Sequence, residues 1–584
     1  MTVLIFSVYD TIVVNHVCRR SVILMYSSRI VRGALAVFAM VLLTVNAFGA
    51  GGKESSGKVA ADELYTVPIL YNGALATVQK SGETVIGKVI KDKFNIEFEF
   101  ISMTADAQER MNIMLAAGDY PEILRIEGLD MMAKYIKAGA ALPLDGYVDQ
   151  SKYFKERFKE QTPYWRLTGD GKIFNWDWLE PQQFEVGLDI NDIGVRTDVH
   201  EQQGWPNLLS EDDYVAFLKK GLEDNPTTNG QKTIGMVVPL AESWGMTGLF
   251  VMLEKGGDFI DTGDNMSTCW NNTEQRFEDF FLNKYTQENF RFFNRLYREG
   301  LLDKECFTDF GTQVAEKLNS GRALSVWYAL WLAGGANSEL INSGNEDMQY
   351  INMPIRSNTQ AAENQKRPIR VEITRPFDSY IITRNARDPE RLFALIDWAT
   401  SEEGQILLQS GVEGIHYTIE NGKRVPTKDF IQGINSDPEY AEKNGFNIFS
   451  FLGAAKTFAA DGQAYNLLMD PNFRDEISLT DRQREAYEKL GWKNSLEYWL
   501  ETGVSAPVGL AARVVIDPSS ELGMLNQKVT QFRVQAAAAL ITAETEAEYN
   551  SLYAKYMEDY KKLNAQRVID EYNRIYTELK SGLE

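Results

Sequence analysis

An α/β fold class is predicted by three features of this 584-residue chain. Strand-length apolar runs alternate with helix-length amphipathic segments, glycine and proline stops separate them, and the C-terminal stretch carries helical patterning alone. In chain order, a strand at 65–70 leads to a helix at about 82–93 and a strand at 96–101, in which Ile96, Phe98 and Phe100 alternate onto one face. The clearest unit follows. Ala107, Met111, Met114 and Leu115 recur at helical spacing, and that helix stops at Gly118, which takes a left-handed cap without steric cost. Pro121 forbids its continuation. Ile123 to Ile126 is a short buried strand, and 131–138 is the next helix, ended by Gly139 before Leu142-Pro143-Leu144-Asp145.

Beyond residue 170 the runs Gly171-Lys172-Ile173-Phe174, Val186-Gly187-Leu188-Asp189-Ile190 and Ile193-Gly194-Val195-Arg196 carry the chain onward. A helix at 212–221, a strand at 233–238, a hairpin across 256–270 and a helix at 287–298 follow. Gly321 to Val326 is a strand followed directly by Trp327. Tyr380 to Thr383 is another strand, and a helix at 389–400 precedes one capped by Ser401. From about 520 to 582 the pattern is helical throughout.

Three stretches, Met114 to Ile123, Gly139 to Asp145 and Ser401 to Tyr417, resemble in order and spacing the extracellular solute-binding proteins (family 1) of ABC importers, above all the large oligosaccharide and lipoprotein-like branch. No single motif is decisive; their order is, and the matches span nearly the whole mature chain. The resemblance implies a periplasmic-binding-protein type II fold, two α/β lobes joined by hinge strands, with a helix-rich C-terminal part. Lobe 1 would comprise 64–190 with about 377–470, and lobe 2 would comprise 191–376 with about 471–584. The hinge would lie near 188–195 and 379–383.

The N-terminus reads as a secretory leader. Residues 25–49 hold basic Arg29 and Arg32, an apolar run of 12 residues from Ala34 to Val45, and small residues at a cleavage site. That run falls short of the roughly 20 residues a span needs. Residues 1–24 read as a start-site extension, and 50–63 as a polar tether. Relatives in this branch often carry a lipidated cysteine after the leader. Here Cys18 precedes the apolar run, so no anchor is expected and the mature protein is placed free in the periplasm or at the outer face of the cytoplasmic membrane. Cys269 and Cys306 are expected as separate buried thiols, with one disulfide as the alternative.

Eighty-two acidic against 60 basic residues give a net charge of −22, which argues against nucleic acid and anionic lipid as partners. Enzyme signatures are weak. Gly52 to Val59 and Gly82 to Val89 approach a phosphate loop but end in valine where magnesium needs a hydroxyl. His200 and His416 sit in no zinc pattern, no Gly-x-Ser-x-Gly turn occurs, and Asp261, Asp264 and Asn265 read as a turn rather than a calcium loop. No catalytic residue, cofactor or metal is expected. A secreted glycoside hydrolase remains the rival, because two carboxylates leave little trace in a sequence.

A sugar's C–H face packs on aromatic rings while its hydroxyls need polar groups at the edge. Candidate ligand residues are therefore Trp176, Asp177 and Trp178 before the first crossing, Trp327, Tyr328 and Trp331 after the 321–326 strand, and Trp244. The resemblance adds Glu127 and Asp130, which follow the strand of the opening unit. For each tryptophan a core position is the competing reading, and for Glu127 and Asp130 a helix cap. The expectation is a monomer that captures an oligosaccharide by hinge closure and delivers it to an ABC permease, with a peptide or other polar solute as the alternative cargo.

Overall fold

The structure, a computed structural model, describes residues 59–583 apart from 61, 73–74, 76, 104–106, 127, 169–170, 178–192, 243, 251–258, 261–267, 354, 374–378, 438, 447 and 454–456. The leader, the extension before it and most of the tether lie outside the described residues, as do Asp261, Asp264 and Asn265. The chain lays down β1 (Tyr65–Asn72), β2 (Ile96–Met103), β3 (Ile123–Ile126) and β4 (Asn175–Asp177) in one sheet. It then builds β5 (Ile193–Arg196), β6 (Ile234–Val237), β7 (Ala323–Val326) and β8 (Tyr350–Met353) in a second sheet, and returns to the first with β9 (Ser379–Ile382). The strand orders are β2-β1-β3-β9-β4 and β8-β5-β7-β6.

Both sheets are covered on both faces, which is why their strands read as unbroken apolar runs. In the first sheet Ile69, Ile123, Tyr380 and Ile382 enter one core, while Leu70, Leu124, Ile126 and Ile381 enter the other. In the second, Val195, Met236 and Ile351 face one side, while Val237, Val326 and Tyr350 face the other. The alternation is the two-residue pleat applied to strands packed between helices. Gly194 on central β5 admits no side chain, since a Cβ there would lie 2.9 Å from Val326 Cγ1 and 3.1 Å from Leu330 Cδ1.

Of the stretches expected as hinge, 188–192 lie outside the described residues, while β5 and β9 are interior strands of their own sheets, β9 pairing antiparallel with both β3 and β4. Among the described residues the chain passes from one core to the other where Ile477 closes the first and Leu479 packs on the second. Arg367–Glu372 pairs in parallel with Gly503–Val508, a ribbon that the sequence pattern did not indicate. The C-terminal helices join the second lobe. Helix Glu521–Ile541 sends Val529, Ala536, Ala537 and Leu540 into its core, where small alanines let it lie close to helix Lys284–Arg298. Asn294 Nδ2 donates to Ile541 O (3.1 Å) and Ala543 O (2.7 Å) and locks that contact.

Cys269 and Cys306 are separate buried thiols, and burial with Asp303 and Asp309 nearby pushes Cys306 up to about 12. Glu211, in the first turn of helix Glu211–Asp224, accepts from the Asn358 backbone N–H (3.1 Å), and burial pushes it up to about 7 from 4.5. Glu288 and Asp212 add to the rise and Arg295 opposes it. The folded chain therefore holds this proton where the unfolded chain releases it, so the contribution to stability falls as pH rises from 4.5 through 7. Glu211→Gln keeps the acceptor for Asn358 and loses the charge. Urea midpoints across pH 4–8 are expected to flatten in this window, with a gain of about 1–3 kcal/mol at pH 8.

Candidate functional site

In an open α/β sheet the groove beyond the carboxyl ends of parallel strands is where ligands lodge. Here β1, β2, β3 and β4 all end at one edge of the first sheet, where β9 begins. In the second sheet β6, β7 and β8 end at the edge where β5 begins. The chain leaves the first sheet after β4 and enters the second at β5. The carboxyl edge of each sheet is thus the candidate border of a ligand groove, and of the residues that directly follow its strands Val238 and Trp327 are described.

The second-lobe border carries an aromatic cluster. The rings of Trp244 and Trp331 lie 5.2 Å apart at 52°, and Tyr328 meets Trp331 edge to face at 5.4 Å and 84°. Trp331 is 47% exposed, and Trp244 and Tyr328 are half-buried. Tyr328 has φ +68°, a left-handed conformation that is costly for a bulky residue. That turn separates two consecutive rings: Trp327 goes inward and Tyr328 goes to the border. Glu242 accepts from the Gly311 backbone N–H (3.2 Å), and a Cβ on Gly311 would meet Trp244 Cζ2 at 3.4 Å, so the 242–244 turn sits against the start of helix Gly311–Asn319.

Two predicted platforms are core residues instead. Trp327 is fully buried among Tyr214, Phe292 and Phe293, and its indole N–H donates to Gly248 O at 2.8 Å. Trp176, also fully buried, stacks on Tyr380 at 6.1 Å and donates to Phe451 O at 2.6 Å. With the faces packed and the single donor engaged, neither offers a surface to a sugar. Asp177 is likewise corrected: it is wholly buried, pairs with Arg513 Nη2 (2.7 Å) and accepts from Ser379 Oγ (2.6 Å) and Trp165 Nε1 (3.0 Å). Asp130 lies half-buried in the first turn of helix Leu129–Lys137, where an acid suits the helix N-terminus. Glu127 and Trp178 lie outside the described residues.

Tyr71 and Arg125, which sequence reasoning did not single out, are half-buried near the carboxyl ends of β1 and β3. Burial raises the Tyr71 hydroxyl and the Arg125 guanidinium opposes the rise. Their signal was position alone, at the carboxyl ends of β1 and β3.

Comparison with known proteins gives a consistent picture. Residues 78–406 match the model of the bacterial extracellular solute-binding protein family. Lipoprotein LipO of Bacillus subtilis (strain 168) is 24% identical over 348 residues, which cover 54% of this chain and 60% of LipO. The fructooligosaccharide ABC transporter substrate-binding protein FusA of Streptococcus pneumoniae serotype 4 is 20% identical over 254 residues, 40% of this chain and 44% of FusA. The chain thus spans about half the length of these curated relatives. Among solved structures, S. pneumoniae FusA in complex with kestose superposes with a TM-score of 0.60 at 13% identity, covering 88% of this chain and 99% of FusA. Alginate-binding protein AlgQ2 without calcium ion gives 0.57 at 17%, covering 89% and 100%. These likenesses establish the fold. Among the described residues no helix is long and apolar enough to cross a membrane.

Proposed function

Because the chain belongs to the bacterial extracellular solute-binding proteins, we propose that it captures an oligosaccharide between its lobes outside the cytoplasm and passes it to an ABC permease. The observation that carries this reading is the Trp244-Tyr328-Trp331 cluster at the border of the second lobe. Its rings supply the apolar faces on which pyranose C–H groups pack, and Glu242 stands at their edge. FusA and AlgQ2, whose folds this chain shares, carry fructooligosaccharide and alginate in their names. Ligand contacts to both borders would favour the closed state by their differential affinity for it. The protein acts as a monomer and without chemical turnover in this reading.

The test is a thermal-shift screen of the mature protein against plant and microbial oligosaccharides, with product analysis of each hit. A ligand held by the folded state alone adds about 2.7 kcal/mol of stability at a hundredfold excess over Kd. Stabilisation without cleavage is expected. Cleavage would reassign the protein to the glycoside hydrolases, and silence across the panel would remove carbohydrate as the cargo.

A further inference from the structure

Behind the aromatic cluster lies a cage of three carboxylates, Asp303, Glu305 and Asp309, whose ligand oxygens all lie within 4.8 Å of one another. Its centre is taken by an ammonium. Lys317 Nζ stands 2.7 Å from Asp303 Oδ2, 2.8 Å from Glu305 Oε2 and 2.5 Å from Asp309 Oδ2. A lysine has three N–H donors, and here each has one carboxylate. The side chains of Lys317, Asp303 and Asp309 are 8%, 9% and 7% exposed, so two of the three anions are shielded from solvent.

The caged loop is bonded directly to the turn that presents Trp244. Asp303 N donates to Met236 O (2.9 Å), Leu240 N to Cys306 O (2.9 Å) and Ala241 N to Asp309 O (3.3 Å). Two residues past Asp309, Gly311 N holds Glu242. On the same helix as Lys317, Val314 and Leu318 belong to the core against which Trp244 packs.

We propose that Lys317 is a positioning residue that does the work of a bound structural cation: its ammonium gathers the 303–309 loop and thereby seats Trp244 at the cleft. The functional consequence rests on the carbohydrate reading, but the structural claim does not. The cage geometry allows a strict test. The three oxygens stand 2.5–2.8 Å from the cage centre that the ammonium holds, close to the roughly 2.3–2.6 Å at which calcium takes its oxygens and wide of the roughly 2.0–2.1 Å that magnesium demands. Truncating the lysine should therefore leave a vacancy that calcium fills and magnesium does not.

The experiment compares wild type, Lys317→Ala and Lys317→Met in chelator, in calcium and in magnesium, reading the melting temperature and the tryptophan emission. Trp244→Phe in each background isolates the signal of that ring. Wild type is expected to ignore all three conditions. Lys317→Ala in chelator should melt lower by about 5 °C or more and shift the Trp244 emission to the red, and calcium alone should restore both. Lys317→Met, whose side chain fills the vacancy, should stay unrescued. If Lys317→Ala does not fold in chelator, refolding yield with and without calcium serves as the readout. An unmoved Trp244 emission in Lys317→Ala, or equal recovery with magnesium, or calcium rescue of Lys317→Met, would overturn the proposal. None of these readouts uses a sugar, so failure of the carbohydrate reading would be seen separately in the oligosaccharide screen.

Discussion

Replacing Arg513 by methionine is expected to lower the free energy of unfolding by about 3–5 kcal/mol, and Asp177→Asn by a similar amount. The pair is wholly buried on both sides. Asp177 also collects Ser379 Oγ and Trp165 Nε1, so its carboxylate joins the end of β4, the start of β9, helix Thr162–Thr168 and the C-terminal segment at one point. Removing either partner deprives the other of this counter-charge in a low-dielectric interior, which is the expensive event; the net worth of the intact pair is much smaller. The double substitution Asp177→Asn with Arg513→Met should therefore cost clearly less than the sum of the singles, with a coupling of about 2 kcal/mol or more. Chemical denaturation of the four proteins supplies the cycle. Strict additivity would mean that the two groups do not act as a pair.

The second large effect separates two tryptophans four residues apart. Trp327→Ala is expected to cost about 3–5 kcal/mol of stability, since it empties a full indole volume among Tyr214, Phe292 and Phe293 and strands Gly248 O. Trp331→Ala removes a ring that is half in solvent, so its stability cost should stay near 1 kcal/mol. For ligand the order reverses. Trp331→Ala should weaken oligosaccharide binding by about 2 kcal/mol, roughly thirtyfold. Calorimetric titration beside denaturation reads both quantities. Unchanged affinity in Trp331→Ala would remove the cluster from the site.

Local patterning revealed the elements that obey local rules. The helix stop at Gly118 is observed with φ +67°, β3 occupies Ile123–Ile126, and Ser401 caps helix Glu402–Ser410 through Gly404 N. Each depends on residues within about four positions, the reach of a helical hydrogen bond or a cap. Of the residues singled out as candidates, Trp244, Tyr328 and Trp331 lie in contact as one aromatic cluster. The roles of Trp176 and Trp327 were not legible, since a tryptophan's sequence neighbours are the same whether its ring is buried or exposed.

By itself the sequence determined the α/β class, the order of elements and the family, because backbone propensity, pleat and turn chemistry are written in short windows. Only the tertiary structure decided which strands are interior rather than hinges, and that Arg367–Glu372 pairs with Gly503–Val508. It also decided that Asp177 meets an arginine 336 residues away instead of a ligand. Burial and charge pairing are properties of groups brought together by the fold, and a carboxylate in sequence has no sign of the partner that will neutralise it.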